Sequence, residues 1–195
     1  MLGTIASRLT SYMIAQGLIP QEDEEIYVFG WTMLLLPVGS FAAILLIGAF
    51  LGQLLGTAIF LLFFSFLRSY SGGWHADSFR RCFLTTVALY SCCLLLHIYL
   101  PEASWDWALL VLSLMSIFII YMWAPVDHPN KPFRGQQKQK NKRASRITVL
   151  AQSILILALM FWQPWLKPYL LWAALGMAVN SFTLLYLICH PYKTA

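Results

Sequence analysis

The chain has 195 residues, of which 59% are hydrophobic and only 11% are charged, and its formal net charge is +5. A soluble globular domain carries roughly 25% charged residues, so this composition excludes one and indicates an integral membrane protein. The length leaves no room for a second globular domain, and we expect residues 1–195 to form a single polytopic membrane domain.

The first predicted element is an amphipathic helix within residues 1–20. Its apolar side chains follow helical spacing: Leu2, Ile5, Ala6, Leu9, Tyr12 and Met13. This pattern predicts an interfacial helix lying on the inner leaflet of the membrane. A helix packed against the protein's own bundle explains the same pattern equally well.

Six apolar runs follow, and each is predicted to be helical because lipid offers no partner to an unpaired backbone group. One crossing takes about 20 residues, and the uncharged stretch from Ile26 to Leu67 is long enough for two. The predicted spans are approximately 26–50, 53–67, 82–100, 107–124, 147–162 and 169–189. The run at 147–162 is short, which leaves open a longer, tilted or re-entrant helix. The predicted fold class is therefore an all-α membrane protein.

The distribution of charge predicts the orientation. Twelve of the 13 Lys and Arg residues lie on one side of the predicted spans, and Lys167 alone lies on the other. The positive-inside rule then places both termini and the segment around residues 71–82 in the cytoplasm. We interpret the basic run at 131–146 as a loop that contacts anionic lipid, and we expect no nucleic-acid partner.

The most informative polar segment is Ser71-Gly72-Gly73-Trp74-His75-Ala76, which is followed by Cys82. An imidazole and a thiol together are the minimal set for nucleophilic acyl transfer. One continuous helix would separate His75 from Cys82 by about 10 Å, whereas a base must approach its nucleophile to about 3 Å. The chain must therefore bend between them, and Gly72 and Gly73 supply the backbone freedom.

Cys82 is the predicted nucleophile because Arg80 and Arg81 precede it, and positive charge favours a thiolate. Cys92 and Cys93 lie inside an apolar span, and Cys189 beside His190 is the second choice. Three residues are candidates for a third group that orients the imidazole: Asp77, Ser71 and Ser78. The cysteines show no paired metal-ligand spacing, so we expect neither a metal nor another cofactor.

A second polar segment, Ala124-Pro125 to Asn130-Lys131-Pro132, follows the fourth span on the same side. Its prolines predict a stiff, extended exit from the membrane. Such a segment could form a wall of the site or hold an extended peptide, and a plain structural loop is the alternative.

Taken together, these residues resemble the accessory gene regulator B (AgrB) family of bacterial membrane endopeptidases. The resemblance rests on Arg68, the Ser71–Ala76 motif, Cys82 seven residues after His75, and the proline segment. It extends over essentially the whole chain, because the length, the six apolar runs and the amphipathic N-terminus also agree.

The resemblance implies a cysteine endopeptidase that acts on a short amphipathic propeptide of the AgrD type, with Cys82 as nucleophile and His75 as general base. It implies that a thioester on Cys82 is captured by a thiol or hydroxyl of the propeptide, which yields a cyclic peptide. It further implies a homodimer. An acidic propeptide tail would suit Arg68, Arg80 and Arg81, and Pro125, Asn130, Lys131 and Pro132 are further candidates for substrate binding.

Two other functions are considered. A small transporter or scaffold would leave His75 and Cys82 with structural roles, but a transporter should place ionisable residues near the bilayer midplane, and the predicted spans hold almost none apart from His97. A membrane-embedded metal hydrolase would need ligand clusters that the sequence lacks.

Overall fold

The structure, a computed structural model, describes residues 2–73, 79–126 and 136–190. Its helices are α1 (Leu2–Ala15), α2 (Glu24–Phe50), α3 (Leu54–Ser71), α4 (Phe79–Tyr99), α5 (Trp105–Trp123), α6 (Gln136–Trp162) and α7 (Lys167–Cys189). No strand occurs in these described ranges, and α2 to α7 are each long and apolar enough to cross a membrane. The predicted all-α fold with six membrane helices is confirmed.

The two ends of the bundle carry different residues. At one end, α5 and α7 begin side by side, and Lys167 Nζ lies 2.7 Å from Asp106 Oδ1. At the other end, α3 and α5 finish together, and the Val126 N–H donates to the Ser71 carbonyl oxygen at 3.2 Å. We call the end with Ser71 and Val126 the basic end and the end with Lys167 and Asp106 the distal end.

Helix α7 is the centre of the bundle. In its most apolar stretch 72% of the residues are buried, against 33% or fewer in each of the other five membrane helices. It packs mainly against α3 and α5. Small residues permit this close approach, as membrane helices require in the absence of a hydrophobic driving force between them. A Cβ atom on Gly176 would lie 2.5 Å from the Phe60 carbonyl oxygen of α3.

Aromatic side chains fill the bundle on the distal side of this contact. The Trp172 ring stacks on the His97 ring with centroids 4.7 Å apart, and His97 Nε2 hydrogen-bonds to the Pro168 carbonyl at 3.1 Å. The ionisable residue that the sequence placed inside a span is therefore buried against α7 with a polar partner. This role is structural packing between α4 and α7.

Helix α1 packs against α2, and Ala6 and Thr10 are fully buried, while Ile5 and Tyr12 of its predicted apolar face remain exposed. Of the two alternatives for this helix, packing against the protein's own bundle is observed. The interfacial position of the exposed face stays a prediction.

Helix α6 differs from the sequence-based expectation. The charge pattern predicts a loop for the basic residues from 136 to 146, but they form the first three turns of this helix. Gln, Lys and Arg are good helix formers, and no proline or glycine interrupts the sequence from Gln136 to Trp162. The short fifth apolar run is therefore the second half of a 27-residue helix.

We predict that Gly176→Ala destabilises the bundle by about 1–3 kcal/mol, because the added methyl group must displace the α3 backbone at Phe60. Gly39→Ala is the matched control, since a Cβ atom there meets nothing within 4 Å. Thermal unfolding in detergent should show a lower midpoint for Gly176→Ala only. Equal midpoints for both variants would contradict the close packing of α3 on α7.

Candidate functional site

Cys82 lies in the first turn of α4, at the basic end of the bundle, and its side chain is partly exposed. The helix begins at Phe79, three residues earlier than the predicted span. The other cysteines differ in setting, because Cys93 is buried mid-helix and Cys92 and Cys189 are exposed elsewhere.

The chain turns sharply at the end of α3, where Gly72 follows Ser71. Gly72 has φ 72° and ψ −157°, and its N–H donates to the Arg68 carbonyl at 3.1 Å to end the helix. This backbone conformation is essentially confined to glycine. Gly73 follows with φ 151°.

The exit of α5 packs directly on this turn. Ala124 and Pro125 are buried and joined by a cis peptide bond, and the Val126 N–H donates to the Ser71 carbonyl. A Cβ atom on Gly72 would lie 2.7 Å from the Val126 carbonyl oxygen. The structure therefore brings Pro125, a predicted site residue, beside Ser71 and Gly72.

Four polar side chains connect the end of α3 to α7. Asn180 Nδ2 donates to Ser71 Oγ at 2.8 Å, and Arg68 Nη1 donates to Thr183 Oγ1 at 3.3 Å. Thr183 Oγ1 in turn donates to the Asn180 carbonyl at 2.9 Å. We call Arg68, Ser71, Asn180 and Thr183 the polar cluster.

No motif in the sequence pointed to Asn180 and Thr183. The available signal was a short polar group, Asn180, Ser181 and Thr183, inside a mainly apolar span. A buried amide in such a span needs a hydrogen-bond partner, and this need alone marks the position for inspection.

Positive charge collects at the same end. Arg80 and Arg81 are exposed in the first turn of α4, and the Lys residues of α6 from 138 to 142 are exposed as well. Arg146 is the exception, because its Nη2 donates to the Tyr121 carbonyl at 2.8 Å and its guanidinium lies over the Tyr121 ring.

Several predicted site residues lie outside the described ranges: His75, Asp77, Ser78, Asn130, Lys131 and Pro132. The predicted pairing of His75 with Cys82 therefore stays a prediction. Among the residues that the structure describes, no group of three His, Cys, Asp or Glu side chains could hold a metal ion.

A cavity of about 470 Å³ opens at the distal end, with Gln53, His97 and Trp172 in its lining. The described lining residues include no cysteine, so this cavity is separate from the Cys82 region.

Residues 6–184 match the model of accessory gene regulator B. The chain belongs to the AgrB family. Membership places it in the agr quorum-sensing system as a multi-pass membrane protein, and the family implies an AgrD-type propeptide as partner.

Individual AgrB relatives agree with this assignment. The chain is 28% identical over 177 residues to AgrB-like protein 2 of Clostridium perfringens strain 13, which covers 85% of this chain and 83% of that protein. It is 28% identical over 193 residues to an AgrB-like protein of Clostridium perfringens strain SM101, covering 93% and 90%. An AgrB-like protein of Listeria innocua is 28% identical over 136 residues, covering 67% and 65%. No solved structure matches the chain.

We predict that Gly72→Ala releases the α5 exit from the turn, because its methyl group would meet the Val126 carbonyl and its backbone angles suit only glycine. Amide hydrogen exchange at Val126, whose N–H donates to Ser71, should accelerate. Gly52→Ala provides the control, since Gly52 also has positive φ but open space around its Cβ position. Unchanged exchange at Val126 in Gly72→Ala would refute the contact.

Proposed function

We propose that this chain is a membrane-embedded cysteine endopeptidase that removes the C-terminal tail of an AgrD-type propeptide and promotes cyclisation of the remainder. The observation that carries the proposal is the position of Cys82. It is a partly exposed thiol in the first turn of α4, at the end of the bundle that also holds the Gly72–Gly73 turn. Family membership supports the choice of substrate.

In the proposed first step, the His75 imidazole takes the proton of the Cys82 thiol, and Sγ attacks the carbonyl carbon of the scissile peptide bond. Backbone N–H groups in the first turn of α4 are suitable donors for the oxyanion that forms. When the C–N bond breaks, the imidazolium returns the proton to the leaving amine, and the tail departs.

In the proposed second step, a thiol or hydroxyl of the propeptide attacks the thioester on Cys82. Its proton passes to the imidazole, the C–S bond to Cys82 breaks, and the ring closes as a thiolactone or lactone. Exchange of one thioester for another is nearly balanced in free energy, whereas hydrolysis would consume the intermediate. The site must therefore hold the internal nucleophile close and exclude water.

The distribution of charge supports binding of the propeptide's tail at the basic end. An acidic tail would be attracted to Arg80, Arg81 and the exposed lysines of α6, all of which lie at the basic end. We propose that this end faces the cytoplasm and contacts anionic lipid. The homodimer stays a prediction.

Cys82→Ala should abolish tail release, with a loss of at least about 10³-fold, because the nucleophile is absent. His75→Ala should cause a comparable loss. Co-expression with a C-terminally tagged AgrD-type propeptide and gel analysis of the released tail would measure both. Cys92→Ala, which removes an exposed thiol from the same helix, should retain full activity. Tail release by Cys82→Ala at the normal rate would refute the mechanism and favour the transporter or scaffold.

The proposed orientation can be tested with single cysteines in a variant whose four native cysteines are replaced. Glu102→Cys lies at the distal end and Gln137→Cys at the basic end, and both positions are exposed. In intact protoplasts an impermeant maleimide should label Glu102→Cys at once and Gln137→Cys only after permeabilisation. The reverse pattern would overturn the orientation.

A further inference from the structure

Asn180 occupies an unusual position for an amide. It lies within the central helix α7 and its side chain is fully buried, and apart from Ser181 and Thr183 the residues within one turn of it are apolar or glycine. Its Nδ2 donates to Ser71 Oγ at 2.8 Å, while no donor reaches its Oδ1 in the part of the chain that the structure describes. A buried acceptor without a partner costs about 1–3 kcal/mol, so an apolar side chain would serve packing better at this position.

The hydrogen bond from Asn180 determines which group the Ser71 hydroxyl donates to. A hydroxyl group has one proton to donate, and the Asn180 amide nitrogen already supplies the proton in the contact between the two side chains. The Ser71 hydroxyl is therefore free to donate to the Gly72 carbonyl, which lies at 3.1 Å. Through this chain of contacts the α7 amide holds the first peptide unit of the turn.

Thr183, one turn after Asn180 on α7, lies close to Gly73. A Cβ atom on Gly73 would lie 3.4 Å from Thr183 Oγ1 and would also meet the Arg68 guanidinium. The Asn180 carbonyl oxygen accepts a hydrogen bond from Thr183 Oγ1, which links the residue beside Gly73 to the residue that contacts Ser71. Asn180 and Thr183 of α7 thus lie close to the two ends of the Ser71–Gly73 turn.

We propose that Asn180 is a positioning residue for the catalytic histidine: through Ser71 it sets the conformation of the Gly72–Gly73 turn, from which the chain continues to His75. The inference rests on the proposed function of His75 and Cys82. Asn180 touches neither substrate nor reacting atoms in this scheme. It acts by fixing the peptide group between Gly72 and Gly73, whose carbonyl accepts from Ser71.

The test uses the full-length protein in detergent with Cys92, Cys93 and Cys189 replaced by alanine, so that Cys82 is the remaining thiol. The probe is iodoacetamide, and the measurement is the alkylation rate of Cys82 as a function of pH. Asn180→Leu keeps the side-chain volume and removes the amide. Ser71→Ala removes the other partner of the hydrogen bond and leaves α7 unchanged. Ser181→Ala is the control, because that buried hydroxyl donates only within its own helix, to Met177.

We expect Asn180→Leu and Ser71→Ala each to slow alkylation near neutral pH by roughly tenfold, because a displaced imidazole no longer draws the proton from the thiol. Ser181→Ala should stay within about twofold of the parent, a range typical of a residue outside the site. In a His75→Ala background, Asn180→Leu should have no further effect, since it acts through that imidazole. A purely structural role would produce the same loss with and without His75.

The inference is overturned if Asn180→Leu alkylates like the parent, or if its effect persists in His75→Ala. Tail release provides the separate readout for the proposed function. There, Asn180→Leu should lower kcat by roughly 10²-fold and leave KM unchanged, as expected for misplaced catalytic geometry. A parent protein that alkylates as expected but releases no tail would refute the peptidase and leave the positioning role of Asn180 supported.

Discussion

The hydrogen bond between Asn180 and Ser71 joins the central helix α7 to the end of α3 at the basic end of the bundle. Lipid supplies no hydrogen-bond partners, so a chain that leaves its helix within reach of the bilayer must find them in the protein. At the end of α3 these partners come from α7 and from the exit of α5. The position of the turn therefore follows from the same requirement that keeps the spans helical.

The apolar runs predicted the six membrane helices well, because their lengths match the thickness of a bilayer. The start of α6 could not be predicted in this way, since a basic run is equally compatible with a loop and with an exposed helix. In the structure, residues 136–146 extend over about 16 Å of helix, and Arg146 joins that helix to α5 through Tyr121. Helix propensity, rather than hydropathy, was the relevant signal there.

The candidate site divides along similar lines. Short-range spacing indicated the turn at Gly72 and Gly73 and the thiol of Cys82, because the chemistry demands a bend between them. Asn180 and Thr183 lie more than 100 residues further along the chain from the turn they support. Their contribution depends on α7 packing beside α3, and no local pattern in the sequence specifies which helices become neighbours.

The central position of α7 has a consequence for biosynthesis. This helix leaves the ribosome after the other six, and Asn180 follows its partner Ser71 by 109 residues. Translation proceeds at about 5–20 residues per second. Asn180 is therefore synthesised roughly 5–20 s after Ser71, its hydrogen-bond partner at the end of α3. A nascent chain inserted up to α6 thus contains Cys82 but lacks the α7 partner of Ser71. The contacts of Ser71 and Arg68 with α7 therefore form only after both ends of this 109- to 115-residue separation have been synthesised.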